Sequence, residues 1–297
     1  ACKGNLLRRV LCQYLDRQGA GNGFVRRGMR PREAGRQLRF TCWKWWLGIA
    51  CHIIGHDSLF MHSWNDRERT MDLLEAITGN RVNYAMNTIG GARRDIPDHL
   101  RKEIIDTLDD LEVKMQPMTH FLTTDKTVAM RTQGVGVLTR EDAIRIGAVG
   151  PHARASGVDI DVRRDAPYTS YEDFDFNIPV VDSGDVFARV LVRVLETYES
   201  MKIVRQAVDM LPEGSINLGN KIPKVPAGEF VGCHEAPRGQ LVYKVVTNGG
   251  PTNHRLSIHV PTFKNAPTVE TMLKGNTVAD AGLIVASIDP CFSCMDC

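Results

Sequence analysis

Cys291 and Cys294 stand two residues apart in the closing stretch ASIDPCFSCMDC, directly behind Asp289 and Pro290, and Cys297 is the last residue of the sequence. Two thiolates at this spacing can grip one soft ion, and thiolate donors select zinc, copper, nickel or iron–sulfur. The pair also suits a disulfide or a terminus with no ligand role, and the spacing alone leaves these readings open. A second stretch is HEAPRGQL, with Glu235, Pro237 and Arg238. An arginine behind a proline sits on a restricted backbone and can aim a planar fork of donors at one fixed anion; the plainer reading is a solvated turn arginine. GGARRDIP and RASGVDIDVRRDAPY are dense in Arg and Asp. They read first as buried ion pairs tying loops to the body of the protein, and second as catalytic. His52 and His56 lie four apart, a spacing that could place both on one helical face. No glutamate follows the first, as a zinc-protease helix requires, so they read as packed or exposed histidines.

Several elements must hold these residues. NDRERTMDLLEAITGN reads as a helix capped by Asn65 and stopped by Gly79. In IPDHLRKEIIDTLDDLEVKMQP the apolar residues Leu100, Ile104, Leu108, Leu111 and Met115 step by helical intervals, with Pro97 in the first turn and Pro117 at the end. Thr139, with Asp142 three residues on, predicts a capped short helix. GDVFARVLVRVLETYESMKIVRQAVDMLPEG reads as the longest helix, roughly 40 Å at 1.5 Å per residue. Its expected buried stripe is Phe187, Leu191, Val194, Tyr198, Met201, Val208 and Leu211. QLVYKVV and RLSIHV, joined by TNGGPTNH, predict a hairpin. The expected fold is mainly α: a helical bundle core with a small β hairpin near the C-terminus.

The chain has 297 residues and a formal net charge of +2, a balance that gives no reason to expect a nucleic-acid partner. Its longest uncharged apolar run, Trp45 to Ile54, is too short to span a bilayer. Residues 1–20 hold no uninterrupted apolar core of a secretory signal. Eight cysteines in a chain of this length are too sparse for a disulfide-stapled domain and fit metal or redox roles better.

RERTMDLLEAITGNRVNYAMNTIGGARRDI, GPHARASGVDIDVRRDAPY, GDVFARVLVRV, LPEG, EAPRG, PTF and VADAGLIVASIDPCFSC, in this order, resemble the large subunit of nickel–iron hydrogenases. The resemblance is to the membrane-bound, energy-converting group related to respiratory complex I, and it runs from about Gly48 to Cys294. It implies reversible proton reduction or hydrogen oxidation at a nickel–iron centre carrying CO and CN ligands. Carried over, Cys291 is the terminal nickel ligand and Cys294 bridges nickel and iron. Arg238 hydrogen-bonds a cyanide, Pro237 walls the ligand pocket, and Asp289 orders the loop ahead of the thiols. The implied partners are an iron–sulfur small subunit, membrane-embedded subunits and, indirectly, ferredoxin or a similar donor. The implied place is the cytoplasmic face of a membrane, as a peripheral subunit.

Two departures stand against this. Cys297 occupies the place where the family has His or Arg, and no C-x-x-C occurs in residues 1–60, where Cys2, Cys12, Cys42 and Cys51 are too far apart. Two further readings therefore remain: a metal-free, complex I-like subunit lining a quinone pocket, and a non-catalytic remnant that keeps the fold. The sequence divides into residues 1–47, a divergent segment, and 48–297, the hydrogenase-like domain. Residues 1–46 hold eleven of the 37 Lys/Arg and two of the 35 acids, Asp16 and Glu33. This composition predicts that part of residues 1–47 is read out of frame, or is disordered, leaving Trp43, Trp45 and Trp46 exposed. Codons for Gly4-Asn5-Leu6-Leu7, read one nucleotide later, can spell Gly-Ile-Cys-Ser, like the second half of the absent family motif. The same shift does not recover the motif's first cysteine.

Overall fold

The computed structural model describes residues 40–81, 86–88, 91–211, 214, 216, 226–250 and 252–296, without the side chains of 40–46, 87–88, 91 and 293. Helix α1 (Phe40–Ile54) packs along α2 (Asp57–Thr78). A Cβ on Gly48 would meet Ser63 Oγ at 2.4 Å, so glycine lets the two helices approach there. α1 crosses the proposed 47/48 boundary and buries Leu47, Ala50 and Cys51 in the main core. The expectations for Trp43, Trp45 and Trp46, and for most of residues 1–47, lie outside the described residues. α2 begins at Asp57, not after Asn65, because buried Ser63 docks on α1 and extends the helix upstream. Gly79 ends it as expected, in the left-handed conformation with its N–H on Glu75 O.

A two-residue ladder of β1 (Asn87–Thr88) and β2 (Gly91–Ala92) leads to α3 (Asp98–Thr124), whose predicted face of Leu100, Ile104, Leu108, Leu111 and Met115 is buried throughout. Pro117 does not stop this helix. Leu122 is buried beyond it, Met118 and Phe121 pack on the core, and Thr119 bonds the Tyr198 hydroxyl at 3.2 Å. That packing outweighs the roughly 3 kcal/mol that an internal proline costs. α4 (Lys126–Thr132) follows, and then α5 (Arg140–Ile146), capped as predicted by Thr139, whose Oγ1 accepts from Asp142 N and donates to Asp142 Oδ2. The short α6 (Pro151–Arg154) and α7 (Val162–Asp165) lead to α8 (Val186–Asp209).

α8 has 24 residues against 27 in α3, so the helix expected to be longest is second. Its predicted stripe is only partly buried: Val194, Met201, Val208 and Leu211 are inside, whereas Phe187, Leu191 and Tyr198 are half-buried. Ala188, Arg189, Val192, Arg193 and Thr197 are buried as well, so α8 is enclosed on more than one face. The expected hairpin is two thirds of a three-stranded antiparallel sheet in the order β3 (Ala227–Ala236), β4 (Gly239–Asn248), β5 (Asn253–His259). Sequence reading missed β3, which turns EAPRG from a loop ahead of a strand into a hairpin turn. α9 (Pro261–Asn265), α10 (Thr268–Leu273), α11 (Ala281–Ser287) and α12 (Phe292–Met295) complete the chain. The described residues are mainly helical, with one small three-stranded sheet and the short β1–β2 ladder, and no described helix is long and apolar enough to cross a membrane.

Candidate functional site

β3 and β4 pair through Ala236 and Gly239, leaving Pro237 and Arg238 as the two residues of the turn. Pro237 is exposed and Arg238 half-buried. The turn lies on the start of α6 at backbone contact: a Cβ on Gly150 would fall 2.3 Å from Gly239 Cα. From there Arg238 reaches the loop after α11. Its Nε donates to Asp289 O at 2.7 Å and its Nη2 to Asp289 Oδ1 at 2.9 Å. The fork thus clamps both the backbone and the side chain of one residue. Asp289 takes up a left-handed φ of 56°, an orientation aspartate tolerates better than most residues, and its N–H is held by Ala286 O. Burial pushes the Asp289 carboxyl above its ordinary range, against the pull of Arg238 and Arg193.

The thiol pair follows at once. Cys291 opens α12, and Cys294 N and Met295 N both donate to Cys291 O, at 2.9 and 3.1 Å. Both cysteines are half-buried and Phe292 between them is 83% exposed, so the pair sits at the rim of the fold. The structure therefore brings Arg238 and Asp289 into contact, with Cys291 two residues further along the same loop. Cys297 lies outside the described residues. Among the described residues no group of three or more His, Cys, Asp or Glu could hold a metal.

The fork on Asp289 gives one prediction. Arg238→Lys keeps the charge but offers no planar pair of donors for the two Asp289 acceptors. We expect it to cost about 1.5–3 kcal/mol, one charge-assisted bond, in chemical denaturation. Stability equal to wild type would show that the clamp contributes nothing.

Behind the turn lies a charged cluster that the sequence only half discloses. Arg154, 1% exposed, meets Glu196 at 2.6 Å, Glu235 at 3.0 Å and Asp161 at 3.2 Å. Arg163 adds a two-point bond to Asp161, Nε to Oδ1 at 2.9 Å and Nη2 to Oδ2 at 2.6 Å. In RASGVDIDVRRDAPY, Arg154, Asp161 and Arg163 make the buried ion pairs expected, whereas Arg164 pairs with Asp159 and Asp165 at the surface and Arg93 and Arg94 of GGARRDIP are exposed. Burial opposes the charge on Arg154, and Glu196, Glu235 and Asp161 together outweigh it and push its pKa up. Burial likewise pushes Glu235 up to about 7, in spite of Arg154. Buried Arg193 lies in the field of Asp289, Glu196, Arg238 and Arg154 at once, between this cluster and the terminal loop. Fully buried Arg189 donates to Ser287 Oγ, Gly184 O and Gly136 O, tying α11 to two loops. The sequence signal for both arginines was their place in the apolar run VFARVLVRVL, where a solvated face is unavailable. His52 and His56 do not share a helix: His52 bonds Asp57 at the surface, and His56 lies in the α1–α2 junction.

The family profile described as respiratory-chain NADH dehydrogenase, 49 Kd subunit, matches residues 54–224 and 218–297. The carbon monoxide-induced hydrogenase of Rhodospirillum rubrum is 40% identical over 251 residues, 84% of this chain and 69% of its own length. The membrane-bound hydrogenase subunit alpha of Pyrococcus furiosus is 38% identical, with 84% of this chain and 62% of its own length covered. An NADH-quinone oxidoreductase subunit of Syntrophobacter fumaroxidans is 36% identical, with 82% and 66% covered. This chain therefore spans about two thirds of the length of these relatives, between 62% and 69%. Among solved structures, a chain of the membrane-bound sulfane sulfur reductase, an archaeal respiratory membrane complex, superposes with a TM-score of 0.82 at 33% identity. That match covers 89% of this chain and 75% of the other.

Proposed function

Since this chain belongs to the respiratory-chain NADH dehydrogenase 49 kDa subunit family, we propose that it is the hydrogenase-type large subunit of an energy-converting membrane complex. The observation that carries this reading is the Arg238 fork on Asp289, at the head of the loop that presents Cys291 and Cys294. A quinone-site subunit has no evident use for that terminal thiol pair. The two hydrogenase relatives, at 40% and 38% identity, support the same reading. In the proposed site Cys291 and Cys294 supply two of the four thiolate ligands of a nickel–iron centre carrying CO and CN, whose chemistry is heterolytic hydrogen cleavage and its reverse. Arg238 would present fixed donors to a cyanide there, Pro237 would wall the ligand pocket, and Asp289 anchors Arg238. An iron–sulfur small subunit, membrane-embedded subunits and a ferredoxin-like donor would complete the complex, with this chain peripheral on the cytoplasmic face.

One observation favours a second reading. The described residues complete no metal site, which suits a metal-free quinone-reducing subunit or a remnant that keeps the fold without the chemistry. The test is metal analysis and turnover of the purified complex. We expect nickel, and hydrogen evolution from a reduced low-potential donor, both lost in Cys291→Ala and Cys294→Ala while assembly persists. A nickel-free complex that reduces quinone, indifferent to both substitutions, would overturn the proposal.

A further inference from the structure

We propose that Arg189 is a positioning residue for the terminal thiol pair, gripping Ser287 from inside the fold two residues ahead of the Arg238 grip on Asp289. Arg189 and Ser287 are both 0% exposed. Arg189 Nε donates to Ser287 Oγ at 2.9 Å, Nη1 to Gly184 O at 2.8 Å and Nη2 to Gly136 O at 2.7 Å. All three acceptors are neutral. Asp185 is the acid in whose field Arg189 lies. Its own oxygens accept from the backbone N–H groups of Ala188 and Gly134 and from the Ser183 hydroxyl. A buried cation whose contacts are all neutral is a poor way to stabilise a core. Its planar fork is well suited to fixing three segments in one arrangement.

The acceptors are held in place by bonds of their own. The Ser287 hydroxyl donates to Ile284 O at 2.6 Å, which turns a lone pair of Oγ toward Arg189. Gly184 O also accepts from Leu138 N at 2.9 Å. Gly136 N donates to Asn276 Oδ1 at 3.1 Å, and a Cβ on Gly136 would fall 2.8 Å from Ile284 Cγ1. The last turn of α11 is therefore pressed against the Gly136 loop, and the guanidinium closes the joint.

Arg238 alone does not direct the thiols. Both its bonds end on Asp289, and a chain held at one residue can pivot about it. Asp289 has a left-handed φ of 56°, which a residue other than glycine keeps only where its surroundings impose it. Ser287 is anchored on one side and Asp289 on the other, and Ile288 between them is buried in the main core. Beyond Asp289 the ring of Pro290 fixes the next φ, and Cys291 follows. Two anchors thus set the direction in which Cys291 leaves the core. Cys294 is carried along by the bond from its N–H to Cys291 O. This positioning stands on the contacts alone; that the positioned pair serves a nickel–iron centre rests on the function proposed above.

The test uses the full chain produced without nickel, with cadmium(II) as the probe, a soft ion that thiolates bind. Sulfur-to-cadmium charge-transfer absorption, less that of the Cys291→Ala/Cys294→Ala chain, isolates binding by the pair. Loss of a residue that orients metal ligands weakens metal binding about 10–100-fold. We expect at least a tenfold loss of cadmium affinity in Arg189→Lys and in Ser287→Ala. Leu108→Ala, on the buried face of α3, should lose stability in urea and leave the affinity unchanged. If Arg189→Lys does not fold, Ser287→Ala, which keeps the arginine, decides alone. Wild-type affinity in Ser287→Ala, an equal loss in Leu108→Ala, or no pair-dependent absorption in the unsubstituted chain would each overturn the positioning. A chain that behaves as expected, in a complex that holds no nickel and evolves no hydrogen, refutes the proposed function and leaves the positioning standing. A nickel-loaded, active complex whose Ser287→Ala chain binds cadmium normally overturns the positioning and leaves the function.

Discussion

Arg154→Met is expected to destabilise the fold by about 3–5 kcal/mol near neutral pH, among the largest effects of any single substitution outside the thiol loop. The side chain is 1% exposed and is the common partner of Asp161, Glu196 and Glu235. It also donates to Ile160 O at 2.9 Å, so its loss leaves a buried carbonyl without its donor. Methionine fills much of the volume and removes the compensating charge, which separates electrostatics from packing. The loss should depend on pH in a definite direction. Burial raises the folded-state pKa of Glu235 to about 7 from an ordinary 4.5. A raised carboxyl contributes stability that is full below its unfolded pKa and is lost as pH climbs through its folded pKa. In the wild type that loss falls between 4.5 and about 7. Without Arg154, which opposes that rise, Glu235 is harder still to ionise, and the window extends upward. Urea denaturation at about pH 5 and about pH 8 should therefore show a larger difference between variant and wild type at the higher value. A penalty that is constant with pH, or below about 1 kcal/mol, would mean that solvent reaches the cluster and screens it.

What the sequence discloses and what it hides follow from the same physics. The face of α3 is legible because Leu100 to Met115 repeat at helical intervals and share one side. The Thr139 cap and the Gly79 stop are legible because each is a local bond or a local backbone conformation. Pro117 misleads because its local cost is set against contacts of Phe121 and Leu122 that no local rule sees. β3 is hidden by Gly228 and Gly232, which break the alternation of a strand, and by the charged residues at its end. The terminal loop was placed by pattern, with Arg238 and Asp289 meeting across 51 residues of sequence. The buried cluster was only half placed: RASGVDIDVRRDAPY reads as buried ion pairs, but nothing in the sequence names Glu196 and Glu235 as partners of Arg154. Periodicity counts apolar residues and assigns arginine to solvent, and the partners that let Arg154 stay inside lie 42 and 81 residues away.

The second large effect concerns a position with no side chain. Gly150→Ala should separate the β3–β4 turn from α6 and break the Arg238 clamp. Gly150 has φ 71° and ψ −151°, a region that essentially only glycine occupies. A Cβ there would lie 2.3 Å from Gly239 Cα, 2.6 Å from Arg238 O and 2.7 Å from Gly239 N. All three are backbone atoms of the turn, so no rotamer change relieves the clash, and the turn itself must move. Backbone strain costs about 1–3 kcal/mol and overpacking about as much again. The bonds from Arg238 to Asp289 are lost on top of these, because the guanidinium travels with the turn. Gly147→Ala is the control. Gly147 also has a positive φ, 80°, but a Cβ there meets nothing within 4 Å, so it carries backbone strain alone. We expect Gly150→Ala to cost at least about 2 kcal/mol more than Gly147→Ala in chemical denaturation. In combination with Arg238→Met its penalty should be less than additive, since both substitutions remove the same clamp. Equal costs for the two glycine variants, or strict additivity with Arg238→Met, would show that the close approach of Gly150 and Gly239 does not hold Arg238 in place.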